Sequence, residues 1–269
     1  MRPLTSVWSA IAGAVAGLFI SGTALADHLP GRIDGWVGFI GDSITYGVGA
    51  SEPSRQGTGS LAATDAVGWV KRQLASPAGI GPLGRVGVLN QGIAGATSQE
   101  WTGPDIGSHF AVGGGQPSVF DDAKCCVAIM VMLGTNDSRD VIAFSSAQYR
   151  QNLETLIAHL KHDLPGAKII LNAPIWYDGA RAATAIGNGY SATSVDRLTG
   201  YTAVLRQLAD GKTVFLGDTD GYRQFKASGS ATLFGPDGVH PNDAGYKLLG
   251  QLWFAALARV LHLSGSPPG

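Results

Sequence analysis

Hydrophobic and polar positions along the chain alternate between two periods. Val37–Ile40 is a short apolar run closed by Gly41-Asp42-Ser43, a pattern that predicts a buried strand running into a turn. Similar runs predict strands at Val86–Asn90, Cys126–Leu133, Lys168–Asn172 and Thr213–Leu216. Between them the period lengthens. Ala66–Leu74 carries Val67, Val70 and Leu74 on one helical face, and Ala147–His162 carries Leu153, Leu156, Ile157 and Leu160 before Leu164-Pro165-Gly166 ends it. Val195–Leu208 and Asp243–Leu263 also read as helices, the last stopped by Ser264-Gly265-Ser266-Pro267. Strands alternating with helices predict a three-layer α/β/α sandwich around a mostly parallel five-stranded sheet. Three polar, glycine-rich stretches, 51–65, 103–121 and 177–194, read as long loops after the first, second and fourth strands, all at one end of that sheet.

The first 26 residues do not fit this pattern. Arg2 precedes the apolar, small-residue stretch Val7–Ile20, and Ala24-Leu25-Ala26 forms an A-x-A cleavage site. Ser21, Gly22 and Thr23 break the apolar run, which favours a removed secretory signal over a retained membrane anchor. The expectation is therefore a signal peptide at 1–26, a single domain at 27–269, and a secreted or periplasmic location. No fixed-period repeat or second composition zone divides the remainder.

With 45% hydrophobic and 14% charged residues the chain reads as globular, and its formal net charge of −1 makes no electrostatic case for nucleic acid or an anionic membrane surface. The only two cysteines, Cys125 and Cys126, are neighbours, which puts an ordinary disulfide geometry out of reach. Lying at the start of a predicted central strand, they are expected to be buried thiols without a structural disulfide. His159 and His162 share a helix face but read as a solvated helix end beside Asp163, and Asp218-Thr219-Asp220-Gly221 lacks the later ligands of a calcium loop. No metal or cofactor is implied.

The candidate chemistry lies at predicted strand ends. Ser43 falls just beyond the first strand, where ligands bind in open α/β sheets, with its N–H at the opening of a helix. Taken singly, Gly41-Asp42-Ser43 also reads as an ordinary turn in a chain with 39 glycines. Asn136 also suits a turn or cap, Asp237 a turn before Gly238, and His240 a surface position before Pro241. Together the blocks Gly41-Asp42-Ser43, Asn90–Gly95 (NQGIAG), Gly134–Asp137 (GTND) and Asp237–His240 (DGVH) offer a hydroxyl nucleophile, a base, an orienting carboxylate and N–H donors.

These four blocks, in this order, resemble those of the SGNH hydrolases, also called the GDSL esterase/lipase family, across essentially the whole chain after residue 26. The first block reads GDSIT rather than GDSL. The resemblance implies the flavodoxin-like SGNH fold and an ester-hydrolysing serine enzyme. Ser43 would be the nucleophile, His240 the general base and Asp237 its orienting partner. The oxyanion donors would be the N–H groups of Ser43 and Gly95 and the Asn136 amide, with Gly92 a turn residue and Asp42 and Asp137 structural hydrogen-bonders. The implied partner is a small-molecule or polymer-borne ester. The absence of a long apolar lid favours short-chain acyl or acetyl esters. Lipid acyl hydrolysis, transfer to another alcohol, and a non-catalytic binder on the same fold stay open, whereas a flavodoxin-like nucleotide binder lacks the expected glycine motifs. Trp101, Trp176, Tyr177 and Tyr190 in or beside the long loops suit substrate stacking, an acyl channel or plain loop packing.

Overall fold

The computed structural model describes residues 35–55, 57, 59–75, 86–103 and 126–263. The expected signal segment 1–26, Cys125 and all but the first residue of the 103–121 stretch lie outside the described residues. Five strands, β1 (Gly35–Gly41), β2 (Val86–Asn90), β3 (Cys126–Met132), β4 (Lys168–Leu171) and β5 (Val214–Leu216), form one sheet in the order β2-β1-β3-β4-β5. Every pairing is parallel, with Phe39 opposite Asn90 and Met130 and Ile129 opposite Ile169. Val37, Phe39, Ala128, Ile129 and Ile170 are buried whichever face they point to, which is why these strands read as continuous apolar runs.

Numbered over the described residues, the helices are α1 (Ser43–Tyr46), α2 (Ala66–Ala75), α3 (Ser146–Asp163), α4 (Gly179–Ala185), α5 (Arg197–Leu208), α6 (Gly221–Ser228), α7 (Ser230–Leu233) and α8 (Asp243–Leu261). The chain crosses from β1 outward to β2, then from β3 outward through β4 to β5. Right-handed crossovers in these opposite directions put α2 on one face and α3 and α5 on the other. α8 packs with α2, where Gly250 lets the helices close: a methyl there would stand 2.3 Å from Trp69 Cβ. Trp253 of α8 stacks on Phe39 of β1 at 5.6 Å, and on the opposite face Tyr149 of α3 stacks on Tyr201 of α5 at 4.2 Å. Side-chain caps begin the long helices: Ser145 Oγ accepts from Gln148 N and Asn242 Oδ1 from Gly245 N.

The structure departs from the sequence expectations in a few places. The stretch 177–194 holds α4 rather than unbroken loop, because Asp178 caps it by accepting from Arg181 N while Ala182 is buried. The helix expected at 195–208 opens as a 3₁₀ turn over Ser194–Asp196. The last helix stops at Leu261, where His262 adopts a left-handed φ of 53° and caps it. Cys126 is disulfide-bonded and half-buried, not the free buried thiol expected. It is the first residue of β3, ahead of the closed core that begins at Ala128, so burial does not keep its sulfur from reacting. Among the described residues no helix is long and apolar enough to cross a membrane.

Candidate active site

The sheet order reverses between β1 and β3, which opens a crevice at the carboxyl ends of those strands. Ser43 stands there as the first residue of α1. Asp42 caps this one-turn helix by accepting from Ile44 N at 2.9 Å, and Gly47 ends it at a left-handed φ of 96°. The turn is tight: a methyl on Gly41 would meet Thr45 Oγ1 at 2.0 Å. Ser43 is therefore held rigidly, 6% exposed, with its amide among the helix N–H groups that have no intrahelical partner.

His240 and Asp237 arrive on the loop between α7 and α8. Asp237 Oδ1 accepts from the amides of Val239 and His240, each at 2.9 Å, so its carboxylate folds the loop around itself. Gly238 has the left-handed φ of 75° this needs, and its carbonyl accepts from Asp178 N. Arg181 braces the same loop through Nε to Pro236 O at 2.8 Å. His240 Nδ1 then lies 2.6 Å from Asp237 Oδ2, and His240 Nε2 lies 2.8 Å from Ser43 Oγ. Partial burial pushes the Asp237 carboxyl up, but the hydrogen bonds from the imidazole and the two amides outweigh it and bring its pKa to about 2. A permanent carboxylate accepts and cannot donate. The proton between Asp237 and His240 therefore sits on Nδ1, and Nε2 is free to accept from the serine hydroxyl.

The other two blocks lock onto this pair. The loop after β2 is pinned to the end of β1, with Gln91 N donating to Phe39 O and Ile93 N to Gly41 O. Gly92 is pressed against α1, where a methyl would stand 2.2 Å from Tyr46 N. Gly95 differs: its φ is 84°, nothing lies within 4 Å of a methyl built on it, and its N–H meets no acceptor among the described residues. The loop after β3 is tied to the loop after β2 by Asp137, which accepts from Ser98 N at 3.0 Å and from the Ser98 hydroxyl. Asn136 donates one Nδ2–H to Ala96 O at 3.0 Å. All five residues singled out in the sequence thus belong to one assembly at the crevice. Asp42 and Asp137 brace their loops as expected, and burial raises each carboxyl to about pH 6 against the hydrogen bonds that favour its charge.

Of the loop aromatics, Trp101 and Tyr177 are fully buried and Tyr190 is 7% exposed, so these three pack the loops instead of offering a stacking face. Sequence reasoning missed the support residues Asp178 and Arg181 and the Tyr190 hydroxyl, which donates to Asn136 Oδ1 at 3.0 Å. It also missed Asp243, which accepts from Ser51 N and Thr64 Oγ1, each at 2.8 Å, and so ties the 51–65 loop beside the histidine. A cavity of about 360 Å³ lined by Gly49, Ser51, Asn242, Asp243 and Ala244 opens there; a methyl on Gly49 would stand 3.2 Å from His240 Cβ. His162 pairs with neighbouring Asp163, and Asp218 caps the turn into α6 by accepting from Asp220 N and Gly221 N.

Residues 39–248 match the model of the GDSL-like Lipase/Acylhydrolase family. Among solved structures, the chain is similar to a carbohydrate acetylesterase family member from Sinorhizobium meliloti (18% identity, 86% of this chain and 100% of that one, TM-score 0.61). It is also similar to Axe2, an acetylxylan esterase from Geobacillus stearothermophilus (22% identity, 87% and 96% covered, TM-score 0.59). A lipase/acylhydrolase from Enterococcus faecalis is a third (20% identity, 87% and 100% covered, TM-score 0.58). No curated protein sequence matches the chain.

Proposed function

Because the chain belongs to the GDSL-like lipase/acylhydrolase family, we propose that it hydrolyses short-chain carboxylic esters, acetyl esters of carbohydrate foremost, through an acyl-enzyme on Ser43. The observation that carries this reading is the unbroken hydrogen-bonded series Ser43 Oγ, His240 Nε2, His240 Nδ1, Asp237 Oδ2, with links of 2.8 and 2.6 Å. Ser43 Oγ attacks the ester carbonyl as His240 Nε2 takes its proton. The new oxyanion accepts from the N–H groups of Ser43 and Gly95 and from the second Nδ2–H of Asn136. Collapse expels the alcohol, which takes the proton from His240. A water then attacks the acyl-enzyme by the same route and releases the acid and the free serine. Asp237 holds the imidazole in the competent tautomer and stabilises its protonated form.

The acetyl and carbohydrate parts of the proposal draw on the named activities of two structural neighbours. Those neighbours are a carbohydrate acetylesterase family member and an acetylxylan esterase. Export rests on the apolar stretch and A-x-A site within residues 1–26.

The test is hydrolysis of p-nitrophenyl esters from acetate to palmitate by wild type and Ser43→Ala, with a fluorophosphonate label on both. Wild type should prefer acetate or butyrate and take the label. Ser43→Ala should take none and lose on the order of 10⁴–10⁶ in kcat, as serine hydrolases do when the nucleophile is removed. A Ser43→Ala protein with full activity would overturn the serine mechanism, and a preference for palmitate would overturn the short-chain reading in favour of lipid acyl hydrolysis.

A further inference from the structure

An oxyanion donor on a side-chain amide carries a risk that a backbone donor does not. The oxygen and nitrogen of a carboxamide have nearly the same shape. An Asn136 amide turned over would present a carbonyl oxygen to the developing negative charge. Two contacts decide which way it faces. Ala96 O can only accept, so it requires the nitrogen, and the Tyr190 hydroxyl donates to Oδ1, each at 3.0 Å. Burial raises the Tyr190 phenol above its ordinary range, so it stays protonated and able to donate. We propose that Tyr190 is a positioning residue for the reaction: through its hydroxyl it holds the Asn136 carboxamide with the free N–H turned toward the oxyanion. This rests on the acyl-enzyme reading with Asn136 as donor.

The way Tyr190 is delivered supports a role beyond filling space. Gly187, Asn188 and Gly189 have φ values of 69°, 46° and 81°, a left-handed run in which Asn188, unlike the glycines beside it, must place a Cβ. The run turns the chain sharply, Tyr190 N donating to Gly187 O at 2.9 Å, and the ring then enters beside Asn136. Tyr177 stands edge-on to the ring at 5.4 Å. The Tyr177 hydroxyl is in turn fixed between Ser138 Oγ at 2.8 Å and Ser194 Oγ at 2.7 Å. The segment after β3 closes the circuit. Asp140 N donates to Gly189 O at 2.7 Å, and Arg139 lies 5.9 Å above the Tyr190 ring while its Nε donates to Asn136 O at 3.2 Å. Donor, tyrosine and the loop carrying each are therefore fixed to one another. Without the hydroxyl, Oδ1 is a buried acceptor with no donor, and the Ala96 O contact alone opposes rotation of the amide.

The experiment is a double-mutant cycle of Tyr190→Phe and Asn136→Ala, with kcat and KM measured separately on p-nitrophenyl acetate and Tm recorded for each protein. Tyr190→Phe keeps the ring and its packing and removes only the hydroxyl. Asn136→Ala should lower kcat by roughly 10²–10³, as loss of one oxyanion donor does. Tyr190→Phe should lower kcat by about tenfold with KM within about twofold, because an interaction made only in the transition state is weakened. In the Asn136→Ala background the same change should cost less than about twofold, since no amide remains to be held. A loss of equal size in both backgrounds makes the tyrosine a general structural prop and overturns the proposal, as does an unchanged kcat in Tyr190→Phe. If Asn136→Ala itself retains kcat, the oxyanion reading of Asn136 fails and the role of Tyr190 fails with it. That outcome is distinct from a full Asn136→Ala effect to which Tyr190→Phe merely adds.

Discussion

The two glycines of the block after β2 look alike in sequence, and the structure assigns them opposite consequences when each is replaced by alanine. At Gly92 the added methyl would stand 2.2 Å from Tyr46 N, 2.6 Å from Thr45 C and 2.7 Å from Tyr46 Cα. All three are backbone atoms of α1, which cannot rotate aside as a side chain would. Relief requires α1 or the 91–98 loop to shift by about an ångström, a cost of about 2–4 kcal/mol by comparison with overpacked cores. Because α1 carries Ser43, activity falls together with stability. At Gly95 the methyl meets nothing within 4 Å, and the remaining penalty is the left-handed φ of 84°. That penalty is about 1–2 kcal/mol for an L-residue, or a Tm lower by roughly 2–8 °C at this chain length. The open space beside Gly95 is, on the proposed mechanism, where the ester carbonyl must come. Gly95→Ala should therefore stay well folded yet lose about 10² in kcat/KM, the order expected when a reacting group is displaced by about an ångström. Urea melts and p-nitrophenyl acetate kinetics on both variants, at a temperature where each is folded, separate the two. A fully active Gly95→Ala protein would refute the reasoning. So would a stable Gly92→Ala protein that is selectively inactive, which would move the donor to the other glycine.

Asp237→Asn keeps an oxygen for the Val239 and His240 amides but can turn an N–H toward His240 Nδ1, which selects the wrong tautomer. It should remain folded, with a Tm within a few degrees of wild type, and lose on the order of 10⁴ in kcat by analogy with the serine-protease case; near-normal kcat would show that another group orients the imidazole. Asp42 and Asp137 ionise near pH 6 in the fold against an ordinary 3.8, so the native state binds more protons than the unfolded chain between these values and stability falls as pH rises through them. Asp237, brought to about 2, acts in the opposite sense: its contribution is complete above about pH 4 and is lost as pH drops toward 2. Asp42→Asn should flatten the decline between pH 4 and 6 by up to ~1.4 kcal/mol per pH unit, read from urea melts across pH 3.5–7. An unchanged slope would mean that Asp42 does not titrate there.

The elements legible in the sequence were those whose burial is continuous along the chain. Val88, Leu89 and Ile169–Leu171 lie buried inside a doubly covered sheet, so each strand carries a continuous apolar run. In α4 only Gly179 and Ala182 are buried, and in α6 only Gly221 and Phe225, so neither leaves a stripe to read. The four blocks of the site were legible because each packs its chemistry into a few adjacent residues at a strand end or tight turn. Tyr190 was not. Its partner lies 54 positions away, and Gly187-Asn188-Gly189 announces a turn without saying which side chain the turn delivers. Cys126 misled for a related reason: the apolar run after it implies burial, but burial along β3 begins two residues later.

What unites the legible and illegible parts is a layer of buried polar groups along the carboxyl ends of β1, β2 and β3. Asp42 spends its carboxylate on the opening of α1, Asp137 on the Ser98 amide and hydroxyl, and Asn90 on Thr45 O and Gly92 N. Asp137 thereby ties the loop after β3 to the loop after β2, Asn90 ties the end of β2 to α1, and the core beneath is apolar. Such burial opposes ionisation, so the two aspartates stabilise the fold less at neutral pH than below about pH 4. An apolar cluster at these positions would cost less but would not fix direction: dispersion contacts tolerate a small rotation that a carboxylate accepting from specific amides does not. On the proposed mechanism, Ser43, Gly95 and Asn136 present three donors to one oxygen atom from three separate loops. The sheet brings those loops to one edge, and the directional bonds of the polar layer hold them at the spacing the oxyanion requires.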